Sequence, residues 1–471
     1  MEQNEQPAGT LIADTLSAFA GRLTLEAIPG SVRERARHLM LDAVGVAHAS
    51  TGFEFSQKAL SALASFDGGD GDVIGLPDKL ALRDAVLMNG ILVHGIDYDD
   101  TYLPGGLHVT ASCFPTALAM AARAGASGRE LLTAYVLGVE TACRLSAVAR
   151  GKLHLIGFHP TGLIASFGCA LTAGKLLGMN AAQLTMAQGI TLSTTSCSSR
   201  EYSRDSAWSK RIHPGWAGVA GITSAVMAQH GFIGPRSVYE GRYGLFPIHL
   251  QEQAAQCDLG VITAGLGEAW ELDHVAIKPY PIGQLSVAGL DCAIAIAREH
   301  ALRPSDVESV RVLVPKEAIP IVCEPLEKRR RPATGYAAQF SLPYAIACGL
   351  VRRRFGLAEL EPSALADREL LAVAEKVGYE ADPRSEYPRH YSGELIVKTR
   401  DGHTYTHREH VNRGAAERPL TGEEISGKFM ANATRVISRA RAQRIHDLIL
   451  GIEQAPDARK ISRALARDGE E

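Results

Sequence analysis

The sequence predicts a mainly α protein that carries a smaller α+β domain. Up to about residue 265, apolar side chains recur at helical spacing behind N-capping signatures. Near residue 270 the pattern changes to short β-branched runs mixed with helical stretches. No βαβ alternation and no GxGxxG following a strand is present, which excludes a dinucleotide-binding fold.

Taken in order, Pro29-Gly30-Ser31 opens the first clear helix. Ser31 and Glu34 are spaced as a capping box, and Val32, Ala36, Leu39, Met40, Ala43 and Val44 form its apolar stripe. Further helices are predicted over 81–97, 113–124, 161–177, 181–190 and 215–230, and a second capping box, Ser127 with Glu130, starts another. Val310 to Val314 reads as a strand ended by Pro315. Glu394 to Arg400, Asp401-Gly402 and Thr404 to Thr406 read as a hairpin with a type I′ turn. Helical patterns at 286–299, 341–351 and 367–377 lie among these strands, so about 270–410 is a smaller α+β region. Thr421 with Glu424 caps a later helix, 429–449 is amphipathic, and the charged tail from Pro456 to Glu471 is expected to fray.

With 46% hydrophobic and 21% charged residues, the composition is that of a globular protein, and the length suggests two or three domains. A net charge of −3 argues against a nucleic-acid binder. No uninterrupted apolar run reaches the roughly 18 residues of a transmembrane helix. Eight scattered cysteines without CxxC or zinc-like spacing, and the absence of a signal-peptide pattern at Met1 to Thr10, predict a cytoplasmic chain.

Polar residues concentrate in His94-Gly-Ile-Asp97-Tyr-Asp99-Asp100-Thr101-Tyr-Leu-Pro104-Gly105-Gly106-Leu-His108, between two apolar segments rich in small residues. Asp97 and Thr101 share a face if the preceding helix continues that far, and Pro104-Gly105-Gly106 bends the chain so that His108 returns over the helix end. A polar helix terminus with incidental histidines satisfies the same pattern. Gly157-Phe-His159-Pro160-Thr161-Gly162 sets a histidine and a proline at a helix start whose N–H groups can meet an anion. Ser206 to Ala217 joins Lys210, Arg211 and His213 to Pro-Gly and two tryptophans, as a carboxylate-holding site or a solvated basic turn. Ile277-Lys278-Pro-Tyr-Pro281 is a rigid element at the apparent domain junction. Tyr344 lies in an apolar helix pattern where its hydroxyl needs a partner, and Lys328 to Arg331 reads as a solvated basic loop.

In this order, these stretches resemble the 2-methylcitrate dehydratase (MmgE/PrpD) family. The carrying residues are His94 to Thr101 with His108, Gly157 to Gly162, Ser209 to Trp216 with Gly231 to Tyr243, Lys278 to Pro281, Phe340 to Tyr344, and Pro419 to Thr421 running into Lys428-Phe429. The resemblance implies a large helical domain (1–268) completed by C-terminal helices (413–471), with an α+β lid (269–412) inserted between them. It also implies a homodimer and a site in the interdomain cleft that uses no metal and no cofactor. Members include dehydratases of 2-methylcitrate-like acids, cis-aconitate decarboxylases and an epimerase of an imino-dicarboxylate. Positions matching the decarboxylase branch are Asp97, Thr101, His108, His159, Lys210 and Tyr344 as catalytic residues. Lys278 falls at a further basic position of the cleft.

One departure stands out. Many members carry a histidine shortly after the Lys-Pro-Tyr-Pro element, and the decarboxylases carry one inside it, whereas Ile282 to Val287 contains none. The expected function is therefore a metal-independent hydro-lyase acting on a hydroxylated di- or tricarboxylate of the 2-methylcitrate or citrate type, as in propionate metabolism. An isomerase, epimerase or decarboxylase using the same cleft is the alternative. Removing a proton alpha to a carboxylate concentrates negative charge, so Lys210 and Lys278 are the expected counter-charges, with His159 and the N–H groups of the adjoining helix start as further donors, and Lys278, Arg211 and His213 are the expected substrate-binding residues. His108 or Asp97 is the expected base, with Asp97 orienting His108, and Tyr344 or His159 the acid. An inactive binding module, and a metal hydratase using Asp97, Asp99, Asp100 and His108, are the readings from other classes.

Overall fold

A computed structural model of the chain describes residues 10–196, 198–202 and 207–466. Cys197, Ser206 and the ends of the chain, which the sequence reading touched, lie outside the described residues. The fold is mainly α with a smaller α+β part, as predicted. By contacts, the chain divides into two units. The first holds residues 1–95, 99–275 and 422–471, and the second holds 96–98 and 276–421.

The first unit is built of helices rich in small residues. The capping box at Ser127 and Glu130 forms and starts Gly128–Ala149. That helix is long and apolar enough to span a membrane by length and composition, and 94% of the qualifying window is buried in the fold. The box at Ser31 does not form. The helix Gly30–Ser50 opens one residue earlier, behind extended Pro29, so Ser31 already lies inside the first turn. The helix expected over 81–97 ends at His94, Gly95 is its C-cap residue, and Asp97 takes a left-handed φ of 51°. Asp97 and Thr101 therefore do not share a helix face. The amphipathic stretch 429–449 is two helices, Gly422–Ala433 and Arg439–Leu450, the second capped by the Ser438 hydroxyl. The tail forms the helix Ala458–Leu465, capped by Asp457, where fraying was expected. Its apolar face, Ala458, Ile461 and Leu465, is fully buried, and that burial offsets the charge of its other face.

Two glycines set the geometry around the polar stretch. A Cβ on Gly90, in Leu82–His94, would sit 2.4 Å from the Gly215 Cα in the helix Ile212–Gln229. A Cβ on Gly215 would sit 2.3 Å from the Leu87 carbonyl oxygen. Side chains larger than hydrogen would push these backbones apart and carry the residues at their ends with them. Arg144, buried, closes the segment after residue 260. It pairs with Glu140 at 2.6 Å and donates to the carbonyls of Ala264 and Ala269, each at 2.7 Å.

The second unit has a four-stranded sheet of β1 (Val307–Val314), β2 (Val377–Ala381), β3 (Gly393–Thr399) and β4 (Thr404–Glu409), in the order β2-β1-β3-β4. β1 and β2 are parallel, and the other neighbours are antiparallel. Helices Val287–Glu299 and Leu342–Arg352 cover it through a core that includes Val310, Val312, Ile346, Leu350, Leu395 and Val397. The helix expected over 367–377 stops at Ala374, and Val377 instead opens β2. The hairpin forms, but not with a type I′ turn. Thr399 and His403 are paired, Gly402 N–H donates to the Thr399 carbonyl at 3.0 Å, and only Gly402 has positive φ, so the loop has three residues closed by a left-handed glycine. The expected basic loop is in part the short helix Leu326–Arg330, with Arg330 donating to the Val377 carbonyl at 2.8 Å.

Gly90→Ala is expected to lower stability by about 1–3 kcal/mol, through overpacking against backbone that cannot rotate away. Chemical denaturation measures it, and an unchanged midpoint would show that the two helices separate without cost.

Candidate active site

In the first unit the polar stretch and two helix starts come together. Helix Leu82–His94 delivers His94, and the chain then turns back, bringing the Asp99 carboxylate to 2.7 Å from His94 Nδ1. The turn at Pro104 to Gly106 is closed by Tyr102 and Leu107, whose backbones exchange hydrogen bonds of 2.7 and 3.2 Å. Gly105 is required there, because a Cβ would lie 1.9 Å from Ser146 Oγ. The turn returns His108 as expected. Its Nδ1 lies 2.8 Å from the Asp100 carbonyl oxygen, 3.4 Å from Thr101 Oγ1 and 3.7 Å from the Asp99 carboxylate. A carbonyl only accepts, so His108 carries its proton on Nδ1 and presents Nε2 as the basic nitrogen. The same logic applies to His94 facing Asp99. The groups found on His108 Nδ1 are thus Asp99, Asp100 and Thr101, where the sequence pointed to Asp97 as the orienting residue.

His159 is the residue before the helix Pro160–Leu176, as the Gly157 to Gly162 pattern predicted. Its Nδ1 is 3.0 Å from His213 Nδ1, its Nε2 is 3.3 Å from Thr161 Oγ1, and that hydroxyl accepts from the His108 backbone N–H at 3.1 Å. Ring centroids of His94, His108 and His159 are 4.5, 5.7 and 5.7 Å apart. Burial, then the Lys210 charge, holds His159 well below the ordinary histidine range. Burial first, with Lys210 among the further causes, also brings His213 to about 4 and His154 to about 3. Lys210, itself buried, is a cation within electrostatic reach of His159, His213 and His154. Two imidazoles meeting through Nδ1 at hydrogen-bond distance hold one proton between them.

Burial and the neighbouring Asp99 carboxylate push Asp100 up to about 8, so it holds a proton at neutral pH, and its carboxyl is bonded by the Thr110 hydroxyl. Arg211, expected to hold substrate, donates from Nε to the Gly95 carbonyl at 2.6 Å and stacks 4.5 Å over the Phe55 ring. It acts as a strut under the turn that follows His94.

Asp97, Lys278 and Tyr344 belong to the second unit. Lys278 Nζ donates to the Asp97 carbonyl at 2.8 Å and pairs with its carboxylate at 3.1 Å. Tyr98 donates to the Pro279 carbonyl at 3.0 Å, and the Gln339 amide donates to the carbonyls of Ile96 and Pro281. These bonds are why residues 96–98 are counted with the second unit although both neighbours belong to the first. Tyr344 finds its partner in the Glu359 carbonyl at 2.8 Å, and burial pushes its phenol up. His94, Asp99 and Thr161 lie outside the expected catalytic and substrate-binding set, although His94 and Asp99 belong to the polar stretch and Asp99 is a ligand in the metal-hydratase reading. His94 and Asp99 are five positions apart, a spacing that neither a helix nor a strand turns into a contact.

A mainly α chain thus carries a buried cluster of imidazoles with a lysine in electrostatic reach, the types of group that acid–base chemistry on an anion uses. The chain belongs to the MmgE/PrpD family. The model of the N-terminal domain matches residues 14–258, and that of the C-terminal domain matches 280–454. It is 24% identical to the cis-aconitate decarboxylase-like protein oryM of Aspergillus oryzae, over 97% of each chain. It is 24% identical to the cis-aconitate decarboxylase of Mus musculus, over 97% of this chain and 94% of the other. It is 27% identical to that of Homo sapiens, over 90% and 88%.

The depressed histidines fix the sign of the acid response. A group whose folded value lies below its unfolded 6.5 binds protons first in the unfolded chain, so stability falls as pH drops from about 6.5 towards the folded value. Fully buried His48, brought to about 4 by desolvation, alone accounts for about 3 kcal/mol over that window. Urea midpoints between pH 7 and pH 4 should decline accordingly, and the His48→Gln variant should show a shallower decline.

Proposed function

We propose that the chain is a lyase that moves a proton at a carbon alpha to a carboxylate of a di- or tricarboxylate, using His108 as the base. The observation carrying this reading is the buried trio His94, His108 and His159 with Lys210 against it. His108 Nε2 takes the α proton. The imidazolium so formed is stabilised by Asp99 at 3.7 Å, which also steadies His94. The electron pair left on the α carbon delocalises into the carboxylate as an enolate, and Lys210 offsets its second negative charge. Loss of a β-hydroxide, protonated by the His108 imidazolium, then gives an alkene and water and returns His108 to its neutral form. Asp97 and Tyr344 need not move that proton, since one is paired with Lys278 and the other bonded to Glu359.

Dehydration of a hydroxylated substrate of the 2-methylcitrate or citrate type is favoured by Ile282 to Val287, which lacks a histidine. Decarboxylation is the second reading, favoured by the relatives, which are named as cis-aconitate decarboxylases along nearly the whole chain. It passes through an analogous enolate, one carboxyl group smaller, formed by loss of carbon dioxide and quenched by a proton from an imidazolium. A homodimer and a cytosolic location belong to this proposal. The seven described cysteines, all thiols, fit a reducing compartment.

Incubation with citrate, 2-methylcitrate and cis-aconitate separates the readings: ultraviolet absorbance rises as an alkene forms on dehydration, whereas carbon dioxide is released on decarboxylation. His108→Ala is expected to lower turnover by about 10²–10⁴-fold, and Lys210→Ala to lower it comparably with circular dichroism unchanged. Full turnover in both variants would remove this cluster from the reaction.

A further inference from the structure

The three histidines also form a donor set that the proposed reaction does not require. One ring nitrogen from each of His94, His108 and His159 lies within 4.8 Å of one from each of the others. A tetrahedral zinc ion with Zn–N bonds of about 2.0–2.1 Å holds its nitrogens about 3.3 Å apart. The nitrogens therefore need to close by at most about 1.5 Å, within reach of small side-chain rotations.

The surroundings match what metal-binding imidazoles use. His94 Nδ1 meets the Asp99 carboxylate at 2.7 Å, His108 Nδ1 meets the Asp100 carbonyl at 2.8 Å, and His159 Nδ1 meets His213 at 3.0 Å. His94 and His108 are thus oriented through Nδ1, by a carboxylate and a carbonyl, the arrangement that fixes the tautomer and directs Nε2 to a metal, while His159 is held between His213 at Nδ1 and the Thr161 hydroxyl 3.3 Å from Nε2, a contact the ion replaces. Nitrogen donors of this kind select zinc, copper or nickel over magnesium and calcium.

We infer that His94, His108 and His159 form a site for a zinc-class divalent ion, which excludes the acid–base reaction while bound. The ion takes the Nε2 lone pair that His108 needs as a base, with a fourth position left to water. Binding is measured without substrate, so this inference and the lyase reading fail separately.

The test uses the full-length protein, stripped with a chelator and titrated with zinc chloride in competition with a chromophoric chelator. The expected result is one zinc per chain, no displacement by excess magnesium, and at least tenfold weaker binding in each of His94→Ala, His108→Ala and His159→Ala. Asp99→Asn, which keeps every ligand, is expected to weaken binding by about 10–100-fold, with thermal melts verifying the fold of each variant. On whichever polycarboxylate the protein turns over, zinc should abolish turnover and the chelator restore it. No zinc uptake by the wild type, or equal uptake by a folded His159→Ala variant, would overturn the site. Zinc bound without loss of turnover would overturn the exclusion.

Discussion

Three carboxylates within four residues, Asp97, Asp99 and Asp100, are all buried. Burying a carboxylate is tolerated only when it is paired, hydrogen-bonded or protonated. The chain uses all three solutions. Asp97 is paired with the Lys278 ammonium, Asp99 is bonded by His94 Nδ1, and Asp100 takes up a proton and is bonded by Thr110. Asp97 finds its partner within the second unit, and Asp99 and Asp100 find theirs within the first. Much of the site follows from where those partners must stand.

The helices that meet there do so by giving up side chains. Gly90 and Gly215 let backbones approach to a distance that no Cβ allows, and Gly162 does the same against Ser198, where a Cβ would lie 1.9 Å from the hydroxyl oxygen. These contacts lie at or close to the ends that carry His94, His213 and His159. Close approach of small residues is therefore what holds the imidazoles within hydrogen-bond reach of one another. Loose packing would leave each group solvated with its ordinary acidity.

Much of this was legible in the sequence. Helical periodicity, the Ser127 box and the change of character near residue 270 gave the architecture, and the Pro-Gly-Gly turn gave the return of His108. Boundaries failed where a local rule met a stronger one. Ser31 lost its cap to the extended Pro29, Val377 left its helix for a parallel strand next to β1, and Gly402 closed a three-residue loop in place of a two-residue turn. Within the site, Lys210, His159 and His108 could be picked out because each sits in a compact polar motif. His94 with Asp99, and His159 with His213, could not be paired from the sequence. Their contacts depend on where a helix stops and on how two helix starts cross, and neither leaves a fixed spacing.

The pairing also limits how the cluster can hold charge. His94 and His108 both face the Asp99 carboxylate, at 2.7 and 3.7 Å, so one anion serves two imidazoles. With Lys210 already contributing positive charge, protonating one ring raises the cost of protonating the next, in line with the depression of His159, first by burial and then by Lys210, His108 and His94. His159 and His213 meet through one shared proton and are coupled in the same way. In such a cluster each further proton costs more than the one before. That suits a reaction that takes one proton from carbon and passes it on, because the site returns to its neutral state after each turnover.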